Sequence, residues 1–278
     1  MKKNMNKKSV LITGCSSGIG LDAAHALTRE GFHVIASVRQ AKDIELLSKS
    51  DIECIELDLS EPASIDQAVS YINEHHPDLY GLVNNGAYGQ AGAVEDLSRQ
   101  ALRDQFETNV FGTHELTQKL MPVFRKNNIG RIVQISSVLG VIALPMRGAY
   151  NASKFALEGL TDTQRLELID TNIKISLIEP GAIETKFRDN CLHYFNKNID
   201  ADNSLYKNQY QSMEERLNRK GPSKFTAPAS RVSKDILHAL TSAKPKIRYR
   251  ITTPTVIGAK LKRLLPDRIM DKISANKG

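Results

Sequence analysis

Short apolar runs alternate with stretches of helical periodicity along nearly the whole chain, and this alternation constrains the fold more than any other feature. The runs at residues 9–13, 32–38, 53–59, 79–84, 131–136, 173–179 and 246–252 have strand length and are rich in Val, Ile and Leu. Between them, residues 19–29, 41–48, 62–74, 99–126, 150–169 and 230–243 read as helices. Gly31 closes the first of these, and Pro62 sits in the first turn of the third. Strand, helix and strand in succession favour a right-handed crossover, which lays the strands parallel and puts helices on both faces. The expectation is an α/β fold: a doubly wound parallel β-sheet with helices on both faces, in one domain over residues 9–253. In such a sheet a ligand lies beyond the carboxyl ends of the strands, so the residues after each strand are the functional candidates.

Composition narrows the classes. The chain has 278 residues, 41% hydrophobic and 25% charged, as expected of a globular domain with a full core. Its three cysteines, Cys15, Cys54 and Cys191, are odd in number and far apart, which argues against a disulfide framework and for a reducing cytoplasm. Cys15, in a glycine loop, reads as a small filler rather than an oxidation-sensitive thiol. Residues 1–8 form a basic tail that runs into an apolar stretch too short for a secretion signal, and no window matches a membrane span. The net charge of +7 fits attraction to anions, but no basic stripe with interleaved aromatics suggests nucleic acid. Seven histidines show no metal-ligand spacing, and His75-His76 read as surface polarity, so no metal is expected.

Two segments stand outside the alternation. Residues 189–223 are polar and charged, and suggest a mobile, irregular substrate lid over about residues 186–228. Within it Phe187, Leu192, Tyr194 and Phe195 are candidates to line an apolar pocket. Residues 254–278 form an amphipathic extension in which Ile257, Leu261, Leu264, Leu265, Ile269 and Ile273 interleave with Lys260, Lys262, Arg263, Arg268 and Lys272, broken by Pro266. Two readings are open for residues 256–273: an extra packed layer, the commoner case, or peripheral contact with an anionic membrane.

The first strand ends in Thr13-Gly14-Cys15-Ser16-Ser17-Gly18-Ile19-Gly20 and a helix follows. Glycines let the backbone turn tightly and approach a pyrophosphate, while the helix N-terminus offers free N–H groups and a positive dipole end. Further on, Tyr150 and Lys154 lie four apart on one helical face. A tyrosine ordinarily titrates near pH 10, and a neighbouring ammonium favours its phenolate. Ser137 ends a strand thirteen residues before Tyr150, Asn109 lies in the preceding helix, and Asn84-Asn85-Gly86-Ala87 ends the fourth strand.

Together these motifs resemble the classical short-chain dehydrogenase/reductase family, with its T-G-x-x-x-G-[IL]-G loop and Y-x-x-x-K pair. The resemblance is strong over residues 8–190 and implies a Rossmann-type fold with a catalytic tetrad of Asn109, Ser137, Tyr150 and Lys154. It implies that Tyr150 is general acid/base, that Ser137 stabilises the substrate oxygen, and that Lys154 lowers the tyrosine pKa and holds the nicotinamide ribose. Asn109 would position a water leading from Lys154 to solvent. The family usually reads N-N-A-G where this chain has Asn84-Asn85-Gly86-Ala87; both exchanged residues are small. Pro180-Gly181-Ala182-Ile183-Glu184-Thr185 resembles the P-G-x-x-x-T segment that meets the carboxamide. The cofactor set is thus Gly14, Ser16, Ser17, Gly18, Ile19, Gly20, Arg39, Asp58, Leu59, Asn85, Gly86, Ala87, Tyr150, Lys154, Pro180, Gly181, Ile183 and Thr185. Ser137, Tyr150 and Phe187 would meet the substrate.

Cofactor choice is legible after the second strand. An acid there would bind the ribose 2′-hydroxyl of NAD and repel a 2′-phosphate. This chain has Val38 in that place and then Arg39, whose planar fork suits a phosphate. The expected function is an NADP(H)-dependent oxidoreductase interconverting an alcohol and an aldehyde or ketone. Resemblance to the hydroxysteroid- and retinol-dehydrogenase-like branch suggests a hydrophobic substrate. The alternative is a non-catalytic NADP(H)-binding redox-sensing regulator on the same fold. The family commonly forms dimers or tetramers through the helices at 99–126 and 150–169.

Overall fold

The computed structural model describes residues 7–48, 50, 52–218, 221 and 224–275. Most of the basic tail, the last three residues and a few lid positions therefore lie outside the described residues. Seven strands form one sheet: β1 (Ser9–Ile12), β2 (His33–Val38), β3 (Glu53–Glu56), β4 (Gly81–Asn84), β5 (Gly130–Ile135), β6 (Ile173–Pro180) and β7 (Arg248–Ile251). Their order is β3-β2-β1-β4-β5-β6-β7, and every neighbouring pair is parallel. This is the doubly wound sheet expected from the alternation.

Both faces are covered. On one side lie α1 (Gly18–Arg29) and α9 (Ala229–Thr241). On the other lie α3 (Pro62–His75) and α5 (Thr113–Lys126). Successive strand residues point to opposite faces. Val10 and Ile12 thus join Ala24, Leu27, Ile236 and Leu240, whereas Leu11 joins Ile65, Ile72, Leu120 and Phe124. Two buried faces explain why the strands read as continuous apolar runs rather than alternating ones. Each such Leu or Ile removed from water stabilises the fold by roughly 1.5–3 kcal/mol. The chain leaves β1 for β2 on one side and pairs β1 with β4 on the other, which opens a crevice at the carboxyl ends of β1 and β4.

Two local expectations are corrected. The helix expected over 99–126 is α4 (Arg99–Phe106), a π-helical turn at Glu107–Gly112, and α5. Gly112 shows why the helix bulges there. A Cβ on it would lie 1.7 Å from the carbonyl oxygen of Leu59, so only glycine permits this approach to the end of β3.

The lid is not irregular. It forms α7 (Phe187–Asn198) and α8 (Lys207–Asn218). Phe195, Cys191, Tyr210, Met213 and Leu217 recur at helical spacing and pack with Ala91, Ala93 and Ile199 into a third core of their own. The polar residues that dominate this segment are the outer faces of those helices. Tyr210 fastens this helix pair to the sheet domain: its hydroxyl accepts from the Ala93 N–H at 2.9 Å and donates to Asp96.

The extension after β7 is a helix pair, α10 (Thr253–Leu264) and α11 (Asp267–Ala275), divided at Pro266. Thr255, Ala259 and Met270 pack inward, while Ile257, Leu264 and Ile269 remain exposed. Among the described residues no helix is long and apolar enough to cross a membrane.

The long helix α6 (Gly148–Glu167) runs beside β5 and β6. Charged groups lock it to the sheet edge. Arg248 on β7 reaches Glu158 at 3.0 Å and Asp162 at 2.6 Å, while Arg250 holds the fully buried Glu179 of β6 at 2.8 Å. The position of α6 matters because its first turns carry Tyr150 and Lys154.

Candidate active site

A cavity of about 530 Å³ lies over the crevice, and nearly every residue singled out from the sequence lines it. Its floor is the glycine loop. Gly14 (φ +71°) and Gly18 (φ +60°) adopt left-handed backbone that other residues resist. A Cβ on Gly14 would stand 2.9 Å from the Gly86 Cα, and one on Gly20 would stand 2.3 Å from the Gly14 oxygen. Gly20 is not on the cavity wall; it lets α1 close onto the loop from behind.

Thr13, which the motif reading passed over, ties the floor to the end of β4. Its Oγ1 accepts from the N–H groups of Asn85 at 2.9 Å and Gly86 at 2.8 Å. The Asn85 amide donates in return to the Thr13 and Gly14 oxygens at 2.9 and 3.1 Å. The exchanged order Gly86-Ala87 thus preserves the close approach: a Cβ on Gly86 would meet Leu59 Cδ1 at 3.0 Å.

At one end stand Arg39, Asp58 and Leu59. Val38 is fully buried. Arg39 donates to the Tyr194 hydroxyl at 3.3 Å, and that bond raises the guanidinium pKa, with Asp58 and Asp43 adding to it. Asp58 Oδ1 accepts from the N–H and hydroxyl of Ser60, which turns the chain after β3.

At the other end stand Ser137, Tyr150 and Lys154, with Pro180, Gly181, Ile183, Thr185 and Phe187 opposite. Ser137 follows β5 and caps a short turn, its Oγ accepting from the Leu139 N–H at 3.1 Å. The Tyr150 ring lies 5.3 Å from that of Phe187. Burial drives the Tyr150 pKa above its ordinary value, against the pull of the Ser137 hydroxyl and the Arg147 charge. Lys154 donates to the Ile135 oxygen at 2.7 Å, and its ammonium lies 5.7 Å from the Tyr150 ring centroid. Burial lowers the Lys154 pKa to about 8, partly countered by Glu158.

Asn109 sits within the π-helical turn, buried and off the cavity wall. Its amide donates to the Tyr88 oxygen at 3.0 Å and Ser153 Oγ at 3.1 Å, and its oxygen accepts from the Tyr88 N–H at 3.2 Å. The side chain braces the β4 loop against α6, and its neighbour Thr108 reaches the cavity.

Two further expectations change. Of the four lid residues proposed for a pocket, Phe187 and Tyr194 line the cavity; Phe195 and Leu192 belong to the lid's own core. Seven residues separate Phe187 from Tyr194, two helical turns, which sets them on one face. The histidines, unrelated in spacing, are not unrelated in space. His33 and His76 each hydrogen-bond an oxygen of Glu53, at 2.6 and 2.8 Å, among the strand and helix ends opposite the cavity. Cys15 is fully buried beneath the loop, in keeping with a filler.

The residues fit a dinucleotide: a glycine floor that any Cβ would fill, N–H groups at the start of α1, and polar groups at both ends. The comparisons agree. Residues 8–193 match the short chain dehydrogenase family. The uncharacterized oxidoreductase YbbO of Escherichia coli K12 is 43% identical over 96% of this chain and 94% of its own. The NADPH-dependent 3-dehydrocapnine reductase of Ornithobacterium rhinotracheale is 30% identical over 95% of this chain and 94% of its own. The solved short-chain dehydrogenase from Streptomyces avermitilis superposes with a TM-score of 0.80 at 27% identity, covering 97% of this chain and 96% of its own. The chain belongs to the short-chain dehydrogenase family. It is a nicotinamide-dependent oxidoreductase acting on CH–OH groups.

Proposed function

We propose that the protein is an NADP(H)-dependent reductase of apolar aldehydes or ketones, able to oxidise the corresponding alcohols in reverse. The observation that carries this reading is a cavity lined by Arg39 at one end and by the buried Tyr150, Ser137 and Lys154 at the other. When bound, the nicotinamide supplies or accepts the hydride. Tyr150 holds its proton at neutral pH, because burial favours the neutral phenol, and so can deliver it to the nascent alkoxide. The Ser137 hydroxyl donates to the same oxygen and stabilises its developing charge. Lys154 and Thr185 are suited to hold the nicotinamide ribose and carboxamide, and Asn109 to stiffen the wall behind Tyr150. The retinol- and hydroxysteroid-dehydrogenase-like assignment is supported by the apolar lining of Val138, Leu139, Leu144 and Phe187.

The NADP preference rests on Arg39 at the rim and on the buried, uncharged Val38. Val38 puts no carboxylate at the last residue of β2, and Asp43 lies farther along, paired in charge with Arg39. Helices α7 and α8 then act as the lid, and α4 to α6 as the subunit interface. The decisive experiment is NADPH consumption against a panel of aliphatic, aromatic and steroidal carbonyls. Tyr150→Phe is expected to lose turnover by about 10²–10⁴-fold with NADPH affinity kept. An unchanged rate in that variant would refute the mechanism.

A further inference from the structure

The reaction end of the cavity holds a second cation besides Lys154, with few and weak partners in the fold. Arg147 lines the cavity three residues before Tyr150 and is largely buried. Its hydrogen bonds are poor ones, from Nη1 to the Met146 oxygen at 3.5 Å and to Met213 Sδ at 3.6 Å. A thioether is a weak acceptor, and a guanidinium carries five N–H donors in one plane. Among the described residues no carboxylate lies within ion-pair distance of it. Burying a cation without a counter-charge is costly, so proteins seldom do it without a use.

The backbone is bent to place this residue. Met146, just before it, has φ +59°, the left-handed region that side chains other than those of Gly, Asn and Asp resist. The Gly92 N–H donates to the Met146 oxygen at 3.0 Å, and Gly92 also pairs with Arg147 in an isolated bridge. The charge lining is one-sided. The cavity's carboxylates are Asp43 and Asp58, both near Arg39. Beside Tyr150 the lining charges are Arg147 and Lys154, and the remaining lining cations beyond Arg39 are Lys186 and Arg188.

We infer that Arg147 binds an oxyanion on the substrate, so that the preferred substrate is an amphiphile: an oxo or hydroxy compound bearing a carboxylate or sulfonate a few bonds from the reacting carbon. Its planar fork receives two oxygens of the anion, and Val138, Leu139 and Leu144 take the apolar chain. The inference rests on the reductase reading above and specifies what it reduces. It also accounts for the placement of Arg147 next to Tyr150: an anion held there presents a nearby carbonyl to the phenol.

The test compares a medium-chain γ-oxo acid, its sulfonate analogue and its methyl ester as substrates with NADPH. Wild type is expected to show kcat/KM at least about 30-fold higher for one or both anions than for the ester. Arg147→Met should remove that preference and leave the ester within about threefold, with unchanged NADPH-fluorescence titration as the check on folding. Arg147→Lys should restore part of it. Calorimetry of the γ-oxo acid on NADPH-loaded Tyr150→Phe protein, with and without Arg147→Met, reads the same contact without turnover. Equal kcat/KM for acid and ester in wild type, or an equal loss for both in Arg147→Met, overturns the inference and leaves the reductase reading intact. Arg147-dependent binding without turnover of any substrate does the reverse.

Discussion

At the scale of single residues, the reaction centre balances two buried groups that shift in opposite directions, Tyr150 up and Lys154 down to about 8. For Lys154 the linkage runs as follows. Between about pH 8 and its unfolded value near 10.4, the unfolded chain binds more protons than the folded one, so stability rises with pH across that window. Denaturant titrations at intervals from pH 7 to 10 should show wild type gaining up to about 3 kcal/mol relative to Lys154→Met. In catalysis, carbonyl reduction, which needs the phenol, should stay level through neutral pH while alcohol oxidation, which needs the phenolate, climbs as pH rises. At the opposite end, Arg39→Gln should raise the KM for NADPH about tenfold or more and leave that for NADH little changed. Ser137, Tyr150 and Lys154 could be brought to one cavity from the sequence because each sits in a short local motif, whereas Asn109 lies off its wall. Thr13 and Arg147 were not legible, because their roles come from partners far along the chain: Asn85 for one, Met213 for the other.

The elements divide in the same way. The strands could be read from their apolar runs because the sheet buries both faces. The lid helices could not, since Arg188, Asp189, Asn190 and His193 between Phe187, Cys191 and Phe195 interrupt a stripe that faces only a small core. That core makes a definite demand. Phe195→Ala should cost the lid about 3–5 kcal/mol and expose residues 187–218 to proteolysis. It should reduce kcat/KM while NADPH still binds, whereas unchanged kinetics would refute the lid role. The π-helical turn was equally invisible, since its cause is the contact between Gly112 and the Leu59 carbonyl. Gly112→Ala should lower stability by about 3 kcal/mol, read as a fall in the urea midpoint.

For the whole molecule, the exposed apolar residues are unevenly spread. Phe111, Phe155, Leu160, Leu166 and Ile169 lie on the π-helical turn and on or just beyond α6, the region proposed above as the subunit interface. Light scattering after gel filtration should find an oligomer, and Phe155→Glu should shift it toward monomer; a monomeric wild type would overturn the assignment. The extension keeps part of both readings drawn from its sequence: Met270 and Ala259 pack inward, whereas Ile257 and Leu264 remain outside, amid lysines and arginines.

The separateness of the third core has one more consequence. Cys191, Phe195, Tyr210, Met213 and Leu217 share no member with the two clusters that hold the sheet, and the Asp96 carboxylate and Ala93 N–H that anchor Tyr210 lie outside the glycine cradle. The chain is therefore built as a fixed chassis and an exchangeable cassette. Selection could rewrite what enters the cavity, by changing two helices at a time, without renegotiating the machinery that handles hydride and proton.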